Sequence, residues 1–333
     1  MDQSENLELL ARVERQLRVH PTNDDNNRSP SFSDAPSSET ARELWGLVLD
    51  VVFAPLWLRI RAAELLGVCC NALDDDACVR IHAGESHKLR AVVSSTCQAL
   101  EELSAADAKQ AAQLFAWLGF LERVLLATRS AVCAGVFRLG SMYAGMLTKL
   151  LRLLSSCSTK VFAAATVCLG LFHAHERACG RSVLVGEVLH DMKDGREHLS
   201  GALLHVINSC GCPCPPERLV HLWNALQLFG DILADETASA LVFVNDFKVL
   251  IDLVIRESTD LPQEDETRLH YMELLQRALA SPLYLQSQMY RKRELLDVLE
   301  SLLDAGAEED SVMPKDVMDK IKQILVRYID LLD

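Results

Sequence analysis

Two short stretches of this 333-residue chain carry side chains that could bind a metal. His173-Ala174-His175-Glu176 is followed by Cys179, and Cys210-Gly211-Cys212-Pro213-Cys214 lies further along. Zinc sites favour C-x2-C pairs, or histidines four apart on a helix, because those spacings aim both ligands at one point. His173 and His175 are two apart in a helical pattern, a step that turns them about 200° from each other. Three cysteines at alternate positions have no C-x2-C half to complete a site. The spacing favours helix-end histidines near the C-terminal dipole, followed by a proline-rich turn. Pro215 and Pro216 suit the first turn of the helix that runs on from Glu217. A metal-dependent enzyme built on His173, His175 and the 210–214 cysteines is therefore the weakest of three functional readings.

Other chemistry finds less support. Neither a G-x-x-x-x-G-K-[ST] loop nor a G-x-G-x-x-G loop occurs, and no G-x-S-x-G elbow is present. Gly135, Gly140 and Gly145 follow no strand and fall within a helical pattern, where close helix packing is their expected use. Asp74-Asp75-Asp76 and Glu308-Glu309-Asp310 read as solvated loops. No convergent acid and base can be assembled, so no catalysis, cofactor or metal is expected. The eleven cysteines are odd in number, and Cys69, Cys70, Cys97, Cys133 and Cys168 sit in apolar helical patterns. They read as small hydrophobes of a reducing compartment.

Charge narrows the partners. Lys and Arg total 33 against 47 Asp and Glu, a formal net charge of −14. That field opposes binding to nucleic acid, which needs a basic footprint, and to anionic membranes. The apolar stretches Leu44 to Leu58 and Val161 to Phe172 are too short to span a bilayer. The acidic N-terminus does not look like a secretion signal. The expectation is a cytosolic protein.

The elements that must position any site are helices. Residues 1–20 read as an amphipathic helix, and 21–39, rich in Asn, Asp, Ser and Pro, as a flexible linker. Beyond that, apolar residues recur at helical spacing near 40–54, 57–73, 86–103, 105–127, 130–156 and 158–178. Further blocks lie near 182–194, 196–210, 216–234, 246–257, 265–280, 289–304 and 313–332. Only Leu241–Val244 is ambiguous between strand and helix. Several blocks are apolar nearly all round. In Phe247–Ile255 a single polar line, Lys248, Asp252 and Arg256, interrupts the aliphatics. Helices covered on several sides belong to layered stacks. No sharp repeat of fixed period is visible. The expected fold is all-α, a degenerate armadillo/HEAT-like right-handed superhelix (α-solenoid) over residues 40–333.

The C-terminal third is more specific. It runs from Leu222-Trp223-Asn224-Ala225-Leu226 through Phe243-Val244-Asn245-Asp246-Phe247 and the aliphatic helix with internal Asp252, ending Arg256-Glu257. Leu261-Pro262 and then Arg268-Leu269-His270-Tyr271 follow. From about Leu222 to Leu303 this order resembles the leucine-rich domain of the SPIN-ninety/Ldb-seventeen family, also called WISH and DIP. Residues 40 to 210 share only leucine content and helicity with it. No SH3 domain like that of animal relatives is found.

The resemblance implies an armadillo-like fold and one partner, the actin-related protein 2/3 complex. Family members switch that complex on without a WASP-type activator or a preformed filament. They thereby seed linear filaments, so actin filaments are met only through the complex. The implied location is the cytoplasmic actin cytoskeleton, in cortical or endocytic patches. Lys248, Asp252 and Arg256 are either i,i+4 pairs on a solvent edge or the lining of a groove for a partner helix. Asn245 or Asp246 is the expected N-cap of their helix. Arg291, Lys292 and Arg293 form the densest basic cluster, and their position at a helix start opposes the dipole. Arg268 and Tyr271 are capping and core residues or contact residues. The competing function is a generic armadillo-like scaffold for another helix or peptide in endocytosis or signalling.

Overall fold

A computed structural model describes residues 3–18, 38–50, 54–72, 86–128, 142–155, 158–192, 195–308 and 311–332. Residues 21–37 of the expected linker, Asp74–Asp76, Cys133, Gly135 and Gly140 lie outside the described residues. Among those described every regular element is a helix, and Leu241–Val244 forms a turn entering a helix. The chain divides into two compact units. The first comprises Met1–Lys149, Ser156–Ala164 and His175–Arg181, and the second Leu150–Ser155, Ala165–Ala174 and Ser182–Asp333.

The helices of the first unit are α1 (Gln3–Arg18), α2 (Ser38–Leu49), α3 (Leu56–Ala72), α4 (Ser86–Glu102) and α5 (Ala108–Ala127). Helices α6 (Met142–Leu153) and α7 (Thr159–Ala178) contribute residues to both units. α3 packs against α1, α2 and α5, and α4 against α2 and α5. Asp107 caps α5 by accepting the Gln110 N–H at 2.8 Å. Gly180, at φ 67°, closes α7, with the Arg181 N–H reaching back to the Glu176 carbonyl at 2.8 Å. The left-handed conformation that this closure needs is one glycine adopts without a Cβ clash.

A π-helical turn, Leu184–Val188, opens the second unit's main stretch and continues into Leu189–Asp191. The long helices that follow are α8 (Leu199–Ser209), α9 (Pro216–Ala234), α10 (Val244–Asp260), α11 (Thr267–Ala280), α12 (Lys292–Ala307) and α13 (Lys315–Leu332), with short helices at Arg196–His198, Glu236–Ser239 and Pro282–Gln286. Pro216 stands at the first position of α9, where a missing N–H costs nothing. α8 packs on α9, α10 on α11 and α12 on α13. The even-numbered helices also touch in series, α8 to α10 to α12, as do α9, α11 and α13.

A device common to both units was not visible as a repeat in the sequence. Arg59 stands in the first turn of α3 and donates to the Val48 carbonyl, near the end of α2, at 2.8 Å. Arg268 stands in the first turn of α11 and donates to the Leu261 and Gln263 carbonyls just past α10, the latter at 3.1 Å. Both arginines are buried. Each opens the pattern R-x-x-x-x-E-L-L: Arg59…Glu64-Leu65-Leu66 and Arg268…Glu273-Leu274-Leu275. The residues between match in burial too, with Ala62 and Ala63 in one and Tyr271 and Met272 in the other. Helix ends leave carbonyls without partners, and an arginine from the next helix donates to them, through Nε alone at Arg59 and through several nitrogens at Arg268.

Candidate functional site

Helix α10 presents Lys248, Val249, Asp252 and Arg256 outward, while Phe247, Leu250, Ile251, Leu253, Val254 and Ile255 are buried. Its polar line is engaged by the corner before α12. Lys248 Nζ lies over the Tyr290 ring, 5.4 Å from its centroid. Asp252 accepts from Arg291 Nη1 at 2.8 Å, and the same guanidinium pairs with Glu294. The two carboxylates, Glu294 first and then Asp252, push the Arg291 pKa up. Arg256 pairs with the buried carboxylate of Glu257, which raises the arginine's pKa, and reaches Asn208 Oδ1 on α8 at 3.1 Å.

The corner has an unusual backbone. Gln288, Met289 and Arg291 all have positive φ, at 61°, 51° and 54°. Non-glycine residues rarely adopt this region, and clusters of them mark functional or tightly determined sites. Lys292 is the first residue of α12 and is half-buried, and Arg293 is exposed. Exposed apolar side chains lie nearby: Val249 on α10, Phe243 at its N-cap, and Leu285 on the short helix Pro282–Gln286 that packs against α10. The structure thus brings Lys248, Asp252 and Arg291 together, with Lys292 and Arg293 following directly and Arg256 one turn away along α10.

Arg268 is placed differently. Only 1% of it is exposed, and besides Leu261 and Gln263 it faces the Ser258 carbonyl at 3.4 Å. Burial lowers its pKa, while Asp265 opposes the shift. Of the roles open to Arg268 and Tyr271, the structure shows capping for the first and core for the second, whose hydroxyl pKa burial raises. The expected N-cap at Asn245 or Asp246 is corrected. Phe243 occupies that position without a side-chain bond, and Asp246 accepts from Ser200 Oγ of α8 at 2.6 Å. A carboxylate in the first turn still meets the positive end of the dipole, but this one joins α8 to α10.

The metal arrangement weighed for His173, His175 and the cysteines is not formed. His173 Nε2 meets Asp231 Oδ2 at 2.7 Å, whereas His175 Nε2 meets the Leu125 carbonyl at 3.1 Å. Among the described residues, no three His, Cys, Asp or Glu converge as a metal site. Cys214 Sγ donates to the Pro215 carbonyl at 3.6 Å, and the Glu257 carboxylate acts on the Cys212 thiol. Desolvation, reinforced by that carboxylate, pushes Cys212 up to about 12.

Sequence reasoning missed a second polar cluster, on α9 and α11. Asp231 gathers His173, Gln227 Nε2 at 3.1 Å, and Arg277. Gly230 makes room for this: a Cβ there would stand 2.8 Å from Arg277 Cδ. His270 stacks on Trp223 with centroids 5.0 Å apart and holds Glu273 at 3.7 Å. Spacing could have signalled it, since Gln227 and Asp231, like Glu273 and Arg277, are four apart on facing helices.

The polar line of α10, the aliphatic core beneath it and the clamp from Arg268 all fall within one recognisable segment. Residues 172–295 match the family model described as the SPIN90/Ldb17 leucine-rich domain. The match begins at Phe172, well before Leu222 where the resemblance was legible, and takes in the polar cluster of His173 and Asp231. It ends at Leu295, in the first turn of α12, just after the basic cluster. Among the described residues, no helix is long and apolar enough to cross a membrane.

Proposed function

We propose that this chain is a non-catalytic regulator of the actin cytoskeleton. It binds the actin-related protein 2/3 complex and activates it without a WASP-type activator or a preformed filament, seeding linear actin filaments. The observation that carries this reading is the leucine-rich-domain match over residues 172–295, which spans the α10 line and the strained corner before α12. Lys248, Asp252, Arg256, Arg291, Lys292 and Arg293 supply the partner-facing side chains, and Arg268 supports them from beneath by holding the α10–α11 turn. The surface mixes cations with Val249 and Phe243, which suits an amphipathic helix laid across it.

Activation on this reading is a population shift. Binding drives the complex toward its filament-like arrangement only by the difference in affinity for the two states, about 5.5 kcal/mol to move from 1:99 to 99:1. A rigid, layered scaffold serves that end, since a surface that deforms to fit both states discriminates neither. The serial contacts of α8, α10 and α12 and of α9, α11 and α13 support an armadillo/HEAT-like stack, as does the arginine clamp repeated in both units. The same reading takes residues 40–333 as one leucine-rich helical domain behind an arm (1–20) and a linker (21–39), working at cortical or endocytic actin patches.

The test is actin assembly followed by fluorescence, with purified complex, this protein and no WASP-type activator. Acceleration that requires the complex, with unbranched filaments on imaging, is the expected result. Absence of acceleration together with absence of co-sedimentation with the complex would sink the proposal.

A further inference from the structure

Helix α1 is packed into the first unit by one stripe. Asn6, Leu9, Leu10 and Val13, at i, i+3, i+4 and i+7, are buried, whereas Glu5, Leu7, Glu8, Ala11 and Arg12 are exposed. Two ion pairs set its orientation: Arg12 to Glu43 of α2 at 2.6 Å, and Glu14 to Arg61 of α3 at 2.7 Å. Both pairs are largely exposed, so they contribute little affinity. The misfit is Asn6. It is 0% exposed, and neither Nδ2 nor Oδ1 has a hydrogen-bond partner. Asparagine is also a poor helix former. A buried amide without partners loses its hydration for nothing in return, and an aliphatic residue would suit the stripe better.

We propose that the surface of α2 and α3 under α1 is a docking groove for an amphipathic helix, with α1 as its resident but imperfect occupant. The partner is a helix that repeats the α1 footprint: aliphatic at the positions of Leu9, Leu10 and Val13, and also at that of Asn6. It carries a cation facing Glu43 and a carboxylate facing Arg61. Such a helix displaces α1, because it makes the same contacts without burying an unpaired amide. This groove lies apart from the α10 line, and the inference stands whether or not the actin reading holds.

The test uses the full chain and hydrogen–deuterium exchange read by mass spectrometry over residues 3–18. Asn6→Leu slows exchange in α1 roughly tenfold, the share of docking that one unpaired buried amide removes. In the unmodified chain, an excess of isotope-labelled synthetic peptide 3–18 carrying Asn6→Leu speeds exchange in the chain's own α1. The same peptide with Asn6 does so less at equal concentration. Unchanged or faster exchange in the Asn6→Leu chain would overturn the proposal. So would equal effects of the two peptides, or no effect of either. The peptide arm remains decisive even if the substituted chain folds poorly.

Discussion

Replacing Arg268 with methionine isolates the clamp that closes α10 onto α11. The side chain is almost wholly enclosed, so methionine keeps most of its packed volume. What is lost is the fork to the Leu261 and Gln263 carbonyls and the weaker approach to Ser258. A hydrogen bond from a charged donor contributes about 1.5–3 kcal/mol, and an abandoned buried carbonyl adds its own desolvation cost. Two such bonds give about 3–6 kcal/mol, offset in part because a buried guanidinium is no longer desolvated. The net expectation is a loss of about 3 kcal/mol, a large fraction of the stability of an ordinary domain. At about 2–4 °C per kcal/mol for a unit of this size, the melting transition of the second unit falls by roughly 6–12 °C. Urea unfolding followed by far-ultraviolet circular dichroism measures the loss, and hydrogen exchange in residues 257–268 locates it. Arg268→Lys keeps the charge and part of the bonding and loses about half as much. A methionine variant within about 1 kcal/mol of the parent would refute the clamp, and with it the comparison to Arg59.

Two other predictions rest on titratable groups. Cys212 is exposed but pushed up to about 12 by desolvation and by Glu257, so it reacts slowly with iodoacetamide at neutral pH. Glu257→Gln speeds that labelling, as mass spectrometry of the 210–214 peptide would show; equal rates would count against the contact. The Glu273 carboxylate is held below its ordinary value, first by His270 at 3.7 Å and further by Lys320 and Arg277, against the cost of desolvation. A depressed carboxylate contributes stability that is present above its unfolded pKa and lost as pH falls through the folded one. Glu273→Gln therefore weakens the chain at neutral pH and flattens the fall in stability below about pH 4.5, checked by urea titrations across that range; an unchanged acid limb would contradict it.

The sequence by itself determined the long helices of the described residues, but not the short ones at Glu236–Ser239 and Pro282–Gln286 or the π-helical turn at Leu184–Val188. Helical periodicity and the breaks at Pro55, Pro262, Pro282 and Gly180 are local properties, and a proline or a left-handed glycine stops a helix whatever surrounds it. It also held the family pattern from Leu222 onward, because order and spacing survive where packing is unknown. The roles of individual side chains were another matter. Lys248, Asp252 and Arg256 are legible as a line on one helix, but only the tertiary structure brings Tyr290 and Arg291 onto it. Arg268 looks like any exposed cation in the sequence, yet α11 carries it under the end of α10, where unsatisfied carbonyls decide its place. Asp246 sits where an N-cap is expected, and the nearness of Ser200 redirects it. His173, Asp231, Gln227 and Arg277 come from three helices, and the four-residue spacing of Gln227 and Asp231 within one helix does not show which residues of the other two meet them. Asn6 falls on the apolar stripe of α1, but whether its amide finds a partner depends on what α2 and α3 place opposite it. Local rules act within a turn or two of one helix. The hydrogen bonds and ion pairs that make a site run between helices, and their partners are set by packing.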